Sequence, residues 1–413
     1  MSRILLVDAD AFFVAVARAV DPAGAGAARL LIVGGRQGSR GVVCSASYET
    51  RAFGVRSGMP ISQALRLCPQ ASCVPVPRTA CSDTSRAIRH VLDRFTPLVE
   101  GASIDEWYLD LTGTEALYRN EPIERTAHRM RDAVFAKTGM RVSIGVGPNK
   151  LVAKLAVERA KPKPGTGATG VHVVEPSQVI EFMRSLQLAD LPGIGPKLQE
   201  KLKKVGLVAV RDVLDADPES LARWLGRETA YRVHRQSLGE SDAAVEPHAP
   251  AKQVSREETF DRDITDVATL RHELLLLSHK VAADLRGDGL EARTVTVKVR
   301  DQRFVTRTIS RTFDEPISSD AAIAEAARDL LREIRKNWTV PVRLAGVALS
   351  RFTPSRDAEQ LTMFEPAAPL ESAKDRALSR AVDRVREKFG DASIRAGAPR
   401  STPLGEKGAR KPR

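Results

Sequence analysis

The apolar run Ile4-Leu5-Leu6-Val7 ends on Asp8, and this junction constrains the fold more than any other feature of the chain. Four apolar residues without alternation read as a strand buried at the centre of a sheet. Further strands are expected at 30–33, ahead of Gly34-Gly35, and at 41–44, 102–111 and 140–146. Helical patterns run over 84–95 and 149–160, the second stopped by Pro162. This N-terminal block therefore reads as one α/β unit with a small insertion.

Strand signals vanish from 177 to 237, where short helices dominate. The segment 239–251 (GESDAAVEPHAPA) has the small, polar, proline-containing composition of a linker. An α+β unit is expected over 252–352: a helix at 270–285, a hairpin of 294–300 with 303–313, a helix at 321–336 and a strand at 342–350. Residues 353–413 read as a flexible tail interrupted by an amphipathic helix at 371–389. That helix carries an apolar stripe, Leu378, Val382, Val385 and Phe389, and the sequence leaves open whether it docks on the protein.

Composition narrows the class. A chain of 413 residues with 42% hydrophobic residues has room for two to four cores. Its 64 basic against 52 acidic residues leave a net charge of +12, which favours a polyanionic partner. No apolar run approaches the ~20 residues of a membrane span. The four cysteines, Cys44, Cys68, Cys73 and Cys81, form no Cys-x-x-Cys pair. Reduced thiols in a soluble cytoplasmic protein without a membrane partner are expected.

Two carboxylate clusters, Asp8-Ala9-Asp10 and Ser103-Ile104-Asp105-Glu106, flank apolar runs. Carboxylates converging on one strand end repel unless a divalent cation neutralises them. Such hard oxygen donors suit Mg²⁺, with Mn²⁺ as a substitute, and two such ions would clamp an in-line phosphoryl transfer. Spacing alone leaves open whether the clusters meet or are surface acids.

The blocks Val7-Asp8-Ala9-Asp10-Ala11-Phe12-Phe13, Ser47-Tyr48-Glu49-Thr50-Arg51, Ser103-Ile104-Asp105-Glu106 and Ser143 through Lys150 to Pro162 resemble, in order and spacing, Y-family DNA polymerases of the DinB type. The resemblance runs from about residue 3 to 352. It implies a right-hand polymerase fold of α/β and α+β parts: a palm (1–168) with inserted fingers (about 12–78), a helical thumb (169–238), a linker (239–251) and an α+β little finger (252–352). It also implies that Asp8 and Asp105, with the Ala9 carbonyl, bind metal, and that Glu106 is the catalytic glutamate and a metal ligand. Asp10 matches an aspartate that is not usually a ligand. By the same resemblance Tyr48, Arg51 and Lys161 hold the incoming triphosphate, and Phe13 is the steric gate against a ribose 2′-OH, with Phe12 in the core. Thr50, Ala17, Cys81 and the Lys161-Pro162-Lys163-Pro164-Gly165 stretch depart from the family pattern.

Lys150, Lys154 and Lys161 fall on one side of their helix by spacing. Leu191-Pro192-Gly193-Ile194-Gly195-Pro196-Lys197 reads as a helix-hairpin-helix turn, with Gly193, Gly195 and Lys197 offering backbone N–H groups and charge to a DNA phosphate. Strand periodicity puts Arg303, Arg307 and Arg311 on one face with Val305 and Ile309, a phosphate rail resembling the little finger. Gln360-Leu361-Thr362-Met363-Phe364 resembles the peptide that binds the bacterial sliding clamp (the beta clamp), through Gln360, Leu361, Met363 and Phe364.

These readings imply a monomeric, template-directed DNA polymerase without proofreading exonuclease, using dNTPs and primer-template DNA for low-fidelity translesion synthesis. A non-catalytic DNA-binding accessory would have lost the carboxylates. A palm-type nucleotide cyclase would leave the hairpin and the basic unit unexplained.

Overall fold

The computed structural model describes residues 3–162, 167–248, 250–354, 371–390 and 393–394. The chain forms two compact units, 1–249 and 250–413.

The first unit is built around a five-stranded sheet in the order Val99–Gly101, Glu106–Asp110, Ile4–Ala9, Val142–Gly147, Val171–Val173. The strand Ile4–Ala9 is central, buried throughout, and antiparallel to both neighbours. Its residues alternate between two cores. Leu5, Val7 and Ala9 pack with Ile88, Leu92, Met130 and Val134 of helices Arg78–Leu92 and Ile123–Thr138. Ile4 and Leu6 pack instead with Tyr108, Ala153 and Val157, on the side covered by helix Lys150–Ala160. That helix lies unusually close to the sheet: a Cβ on Gly145 would fall 2.2 Å from the Ala153 carbonyl oxygen, so only glycine fits there.

A separate three-stranded sheet, Val43–Ala46, Leu31–Gly34 and Ser72–Pro75, has its own core around Ile32, Val55 and Ile61. From Pro176 to Ser237 the chain is short helices around Leu188, Leu202, Val210 and Val233. The segment expected as a free linker is strapped down. Asn149 Nδ2 donates to the Gly239 carbonyl (2.7 Å), the Glu246 N–H donates to Glu100 (2.8 Å), and Val245 packs against Leu6 and Tyr108.

The second unit is a four-stranded antiparallel sheet in the order Thr306–Ile317, Leu290–Asp301, Val342–Pro354, Gln253–Ile264, backed by helices Val267–Gly287 and Asp320–Lys336. Helix Ala373–Phe389 docks on this unit with Val382 and Val385 of its apolar stripe half-buried, while Leu378 and Phe389 are 61% and 66% exposed. Polar side chains also attach it. Glu371 accepts from the Ser318 and Ser319 N–H groups (3.0 and 2.7 Å), Ser379 Oγ accepts from the Asp320 N–H (3.0 Å), and Asp383 takes both Nε and Nη2 of Arg286 (2.6 and 2.8 Å). Among the described residues, no helix is long and apolar enough to cross a membrane.

Candidate active site

Strand pairing brings the two carboxylate clusters together. Asp8 lies directly opposite Glu106 in the antiparallel ladder, and the Ala9 N–H donates to the Asp105 carbonyl (2.9 Å). The span expected as one strand is a tight hairpin: residues 102–105 form a turn between Val99–Gly101 and Glu106–Asp110. Cross-strand partners share a face, so Asp8 and Glu106 both project toward helix Lys150–Ala160.

The three lysines of that segment each meet a sheet carboxylate. Lys161 Nζ lies 3.0 Å from Asp8 and 2.6 Å from Glu158. Lys154 Nζ donates to both oxygens of Glu106 (3.0 and 2.9 Å). Lys150 donates to both oxygens of Glu100 (2.7 Å each) and sits 4.6 Å from the Tyr108 ring centroid. Asp105 takes a hydrogen bond from Ser103 Oγ (2.5 Å). With the side chains so engaged, no group of three His, Cys, Asp or Glu among the described residues is close enough to hold a metal. The donor set is nonetheless that of a hard cation.

Burial pushes Asp8 up to about 7, with Lys161 opposing and Glu106 adding to the rise. Burial works against the charge on Lys161, but Asp8 and Glu158 outweigh it and raise its pKa. Asp10 is also raised by burial, eased by the hydrogen bond from Ser143 Oγ (2.8 Å).

Between Asp10 and helix Phe12–Val20 the chain turns through Ala11 in the left-handed region, at φ 46°. This turn drives Phe12 into the core and leaves Phe13 half-buried, edge-on to it with centroids 5.6 Å apart. Tyr48 and Arg51 occupy a single helical turn, with the guanidinium 4.9 Å from the ring centroid and Arg51 Nε on the Ala46 carbonyl (2.9 Å). Burial raises the Tyr48 pKa, and Asp10, Arg51, Lys161 and Asp8 all act on the same hydroxyl. Tyr48 thus lies within electrostatic reach of Asp8, Asp10 and Lys161. Thr50 is buried and bonded to the capping Ser47 (2.9 Å), so this departure from the family pattern lies beneath the site.

Farther along, Gly193 adopts φ +81° and Gly195 caps helix Pro196–Lys204; both are exposed, as is Lys197. The arginine rail is corrected. Arg307 and Arg311 pair with Val299 and Val295, whose side chains enter the core under the helices, so both arginines lie on the helix side of an edge strand. Arg311 there faces Asp329 (3.7 Å), and Arg303 belongs to the turn. The open face instead carries Lys298, Arg300, Thr296, Thr308 and Ser310. Residues 360–364 lie outside the described residues.

The profile of the impB/mucB/samB family matches residues 7–158, that of the IMS family HHH motif 176–207, and that of the family's C-terminal domain 251–363. A DNA polymerase IV of Desulfatibacillum aliphaticivorans is 36% identical over 397 residues, 96% of each chain. One from Methanoculleus marisnigri is 39% identical over 353 residues, covering 84% of this chain and 94% of its own. A solved Y-family DNA polymerase chimera of Dbh and Dpo4 superposes with a TM-score of 0.75 at 27% identity, over 86% of this chain and all (100%) of its own. The chain belongs to the Y family of DNA polymerases. DinB from Sulfolobus solfataricus also matches this polymerase, with a TM-score of 0.58 at 27% identity over 86% of this chain and 100% of its own. The fold is accordingly the right hand of that family, with its HHH motif and C-terminal domain both present.

Sequence reasoning missed Lys154 as the partner of Glu106 and Ser103 as the partner of Asp105. Lys154 stood in the expected basic face, but only the ladder shows which carboxylate it meets.

Proposed function

We propose that the chain is a template-directed DNA polymerase that extends a primer 3′ end with deoxynucleotides and copies damaged templates at low fidelity, in repair and damage tolerance. The cross-strand pair Asp8–Glu106, on the face of a lysine helix in a Y-family chain, carries this reading. Its parts are a palm (1–168) with fingers inserted at about 12–78, a thumb (169–238), a linker (239–251) and a little finger (252–352).

Asp8, Asp105 and the Ala9 carbonyl would hold Mg²⁺, or Mn²⁺ in its place, with Glu106 beside them. When bound, two such ions would supply charge neutralisation for the phosphoryl transfer. Lys161 exchanges Asp8 for the triphosphate, and Arg51 and Tyr48 orient it by forked and hydroxyl hydrogen bonds. Lys154 holds the carboxylate of Glu106 in place. The Phe13 ring occupies the volume a 2′-OH would need. Gly193, Gly195 and Lys197 grip the backbone of the primer-template without reading sequence. Residues 360–364 tether a monomeric cytoplasmic enzyme to the sliding clamp.

Primer-template, four dNTPs and Mg²⁺ should yield extension that chelation stops; no extension refutes the reading. Phe13→Ala should admit ribonucleotides, and unchanged sugar selection would remove the gate. Deleting residues 360–364 should abolish clamp-stimulated synthesis and spare the basal rate.

A further inference from the structure

The hairpin tip of the second unit presents an exposed aromatic ring on constrained backbone. Asp301 is buried, and its Oδ1 accepts the N–H groups of Arg303 and Val305 (2.8 and 2.9 Å). The Asp301 N–H reaches the Val305 carbonyl, and the Phe304 N–H reaches the Asp301 carbonyl (3.1 Å each). Together these bonds fix Phe304 at φ +63°, where side-chain-bearing residues are rare and glycine is at ease. The ring is nevertheless 63% exposed. The guanidinium of Arg343 stacks on it, 4.8 Å from the centroid, and Arg300 and Arg303 flank the turn.

Glycine would form this turn with less strain, so the ring needs a reason beyond the fold. It buries little, and its company is cationic. An aromatic face beside arginines matches an unpaired nucleotide: the base stacks on the ring and the guanidinium groups take its phosphates. Such stacking tolerates any sequence, as a template reader requires.

We propose that Phe304 is a stacking platform for an unpaired base of the DNA template strand, with Arg303 and Arg343 on the adjoining phosphates.

The test compares the full chain with Phe304→Gly and Phe304→Tyr. Binding is read by anisotropy on three DNAs: a primer-template with a 5′ overhang, the same overhang made of abasic sites, and a blunt duplex. Phe304→Gly should weaken overhang binding about tenfold, the scale of one lost base–aromatic stack. It should leave abasic and blunt DNA unaffected, and its melting temperature should hold or rise as the left-handed strain is relieved. Phe304→Tyr should bind like the parent. Equal binding of Phe304→Gly to the overhang would overturn the proposal, as would an equal loss on all three DNAs. A lowered melting temperature would assign the ring to the fold instead. Capture of a protein partner through Phe304 without overhang dependence would also overturn it.

Discussion

At the carboxylate site of the first unit acids meet lysines, under the C-terminal helix of the second they meet arginines, and the two arrangements do different work. Lys161 and Lys154 present single ammonium groups to Asp8 and Glu106, and Lys154 remains 38% exposed. In the second unit the Arg286 side chain is only 9% exposed, forks onto Asp383 and reaches Asp320 (2.8 Å) and the Ser318 carbonyl (2.6 Å). Arg376 likewise joins Glu371 (2.5 Å) and Glu291 (3.2 Å), both buried. A lysine is a point charge whose partner can be exchanged, whereas a bidentate guanidinium fixes geometry and leaves no oxygen free. The first arrangement suits a site that trades partners during a reaction. The second fastens helix Ala373–Phe389.

The largest effect should come from breaking the exchangeable set. Asp105→Ala should lower primer extension by about a thousandfold or more, since a metal clamp is worth several kcal/mol in the transition state. Its unfolding temperature should stay near the parent's, because Asp105 sits in a turn, where its carboxylate accepts a hydrogen bond from the neighbouring Ser103 Oγ. Equal extension by parent and variant would end the assignment. Arg286→Met should show the reverse pattern. It strands Asp320 and Asp383 and should cost about 3–5 kcal/mol of stability, read by denaturant unfolding. Turnover per folded molecule should be preserved; stability within about 0.5 kcal/mol of the parent would make this cluster ornamental.

Lys161→Met comes next. Losing one charge-assisted hydrogen bond to the triphosphate, about 1.5–3 kcal/mol, should raise the dNTP KM roughly tenfold to a hundredfold. DNA affinity should not move. A KM unchanged with kcat reduced would place Lys161 with the metal carboxylates alone.

The contrast also shows what the sequence could disclose. The motif around Asp8 is local, an unbroken apolar run ending on a carboxylate, so the central strand was legible, whereas the meeting of the two carboxylate clusters was not. Pairings that span fifty residues, such as Lys154 with Glu106, need the ladder register, which no local pattern encodes. Strand Gln253–Ile264 was invisible because it is an edge strand, mostly exposed and rich in charge, with no alternation to read. Helix Ile123–Thr138 did carry a signal, Ile123, Ala127, Met130 and Val134 at helical spacing, thinned by the charges between them. The arginine rail was misplaced at Arg303, which falls in the turn before the strand. Periodicity correctly put Arg307, Ile309 and Arg311 on one face, but an edge strand can expose even its core side. Helix Ala373–Phe389 was legible as a helix, but the polar bonds of Glu371, Ser379 and Asp383 that hold it in place follow no periodicity.

The smallest effect separates the two regions by pH. His279 Nδ1 lies 4.0 Å from Asp320, and burial lowers its pKa. Asp320 on helix Asp320–Lys336 opposes that fall, while Arg386 of the docked helix and Arg286 of its own helix deepen it. The unfolded chain therefore protonates this histidine near the usual 6.5, while the folded chain does so only at lower pH. Between those values the unfolded state binds more protons, so stability falls as pH drops through about 6.5 and levels off below the folded pKa. Comparing urea midpoints at about pH 7.5 and 5.5 should show this loss in the parent and a smaller one in His279→Gln. The Asp105→Ala variant should keep the parent's full drop, because its carboxylate belongs to the other set. If His279→Gln lost as much stability as the parent, the pH dependence would belong to other groups and the arginine-bound network would be insensitive to this histidine's charge.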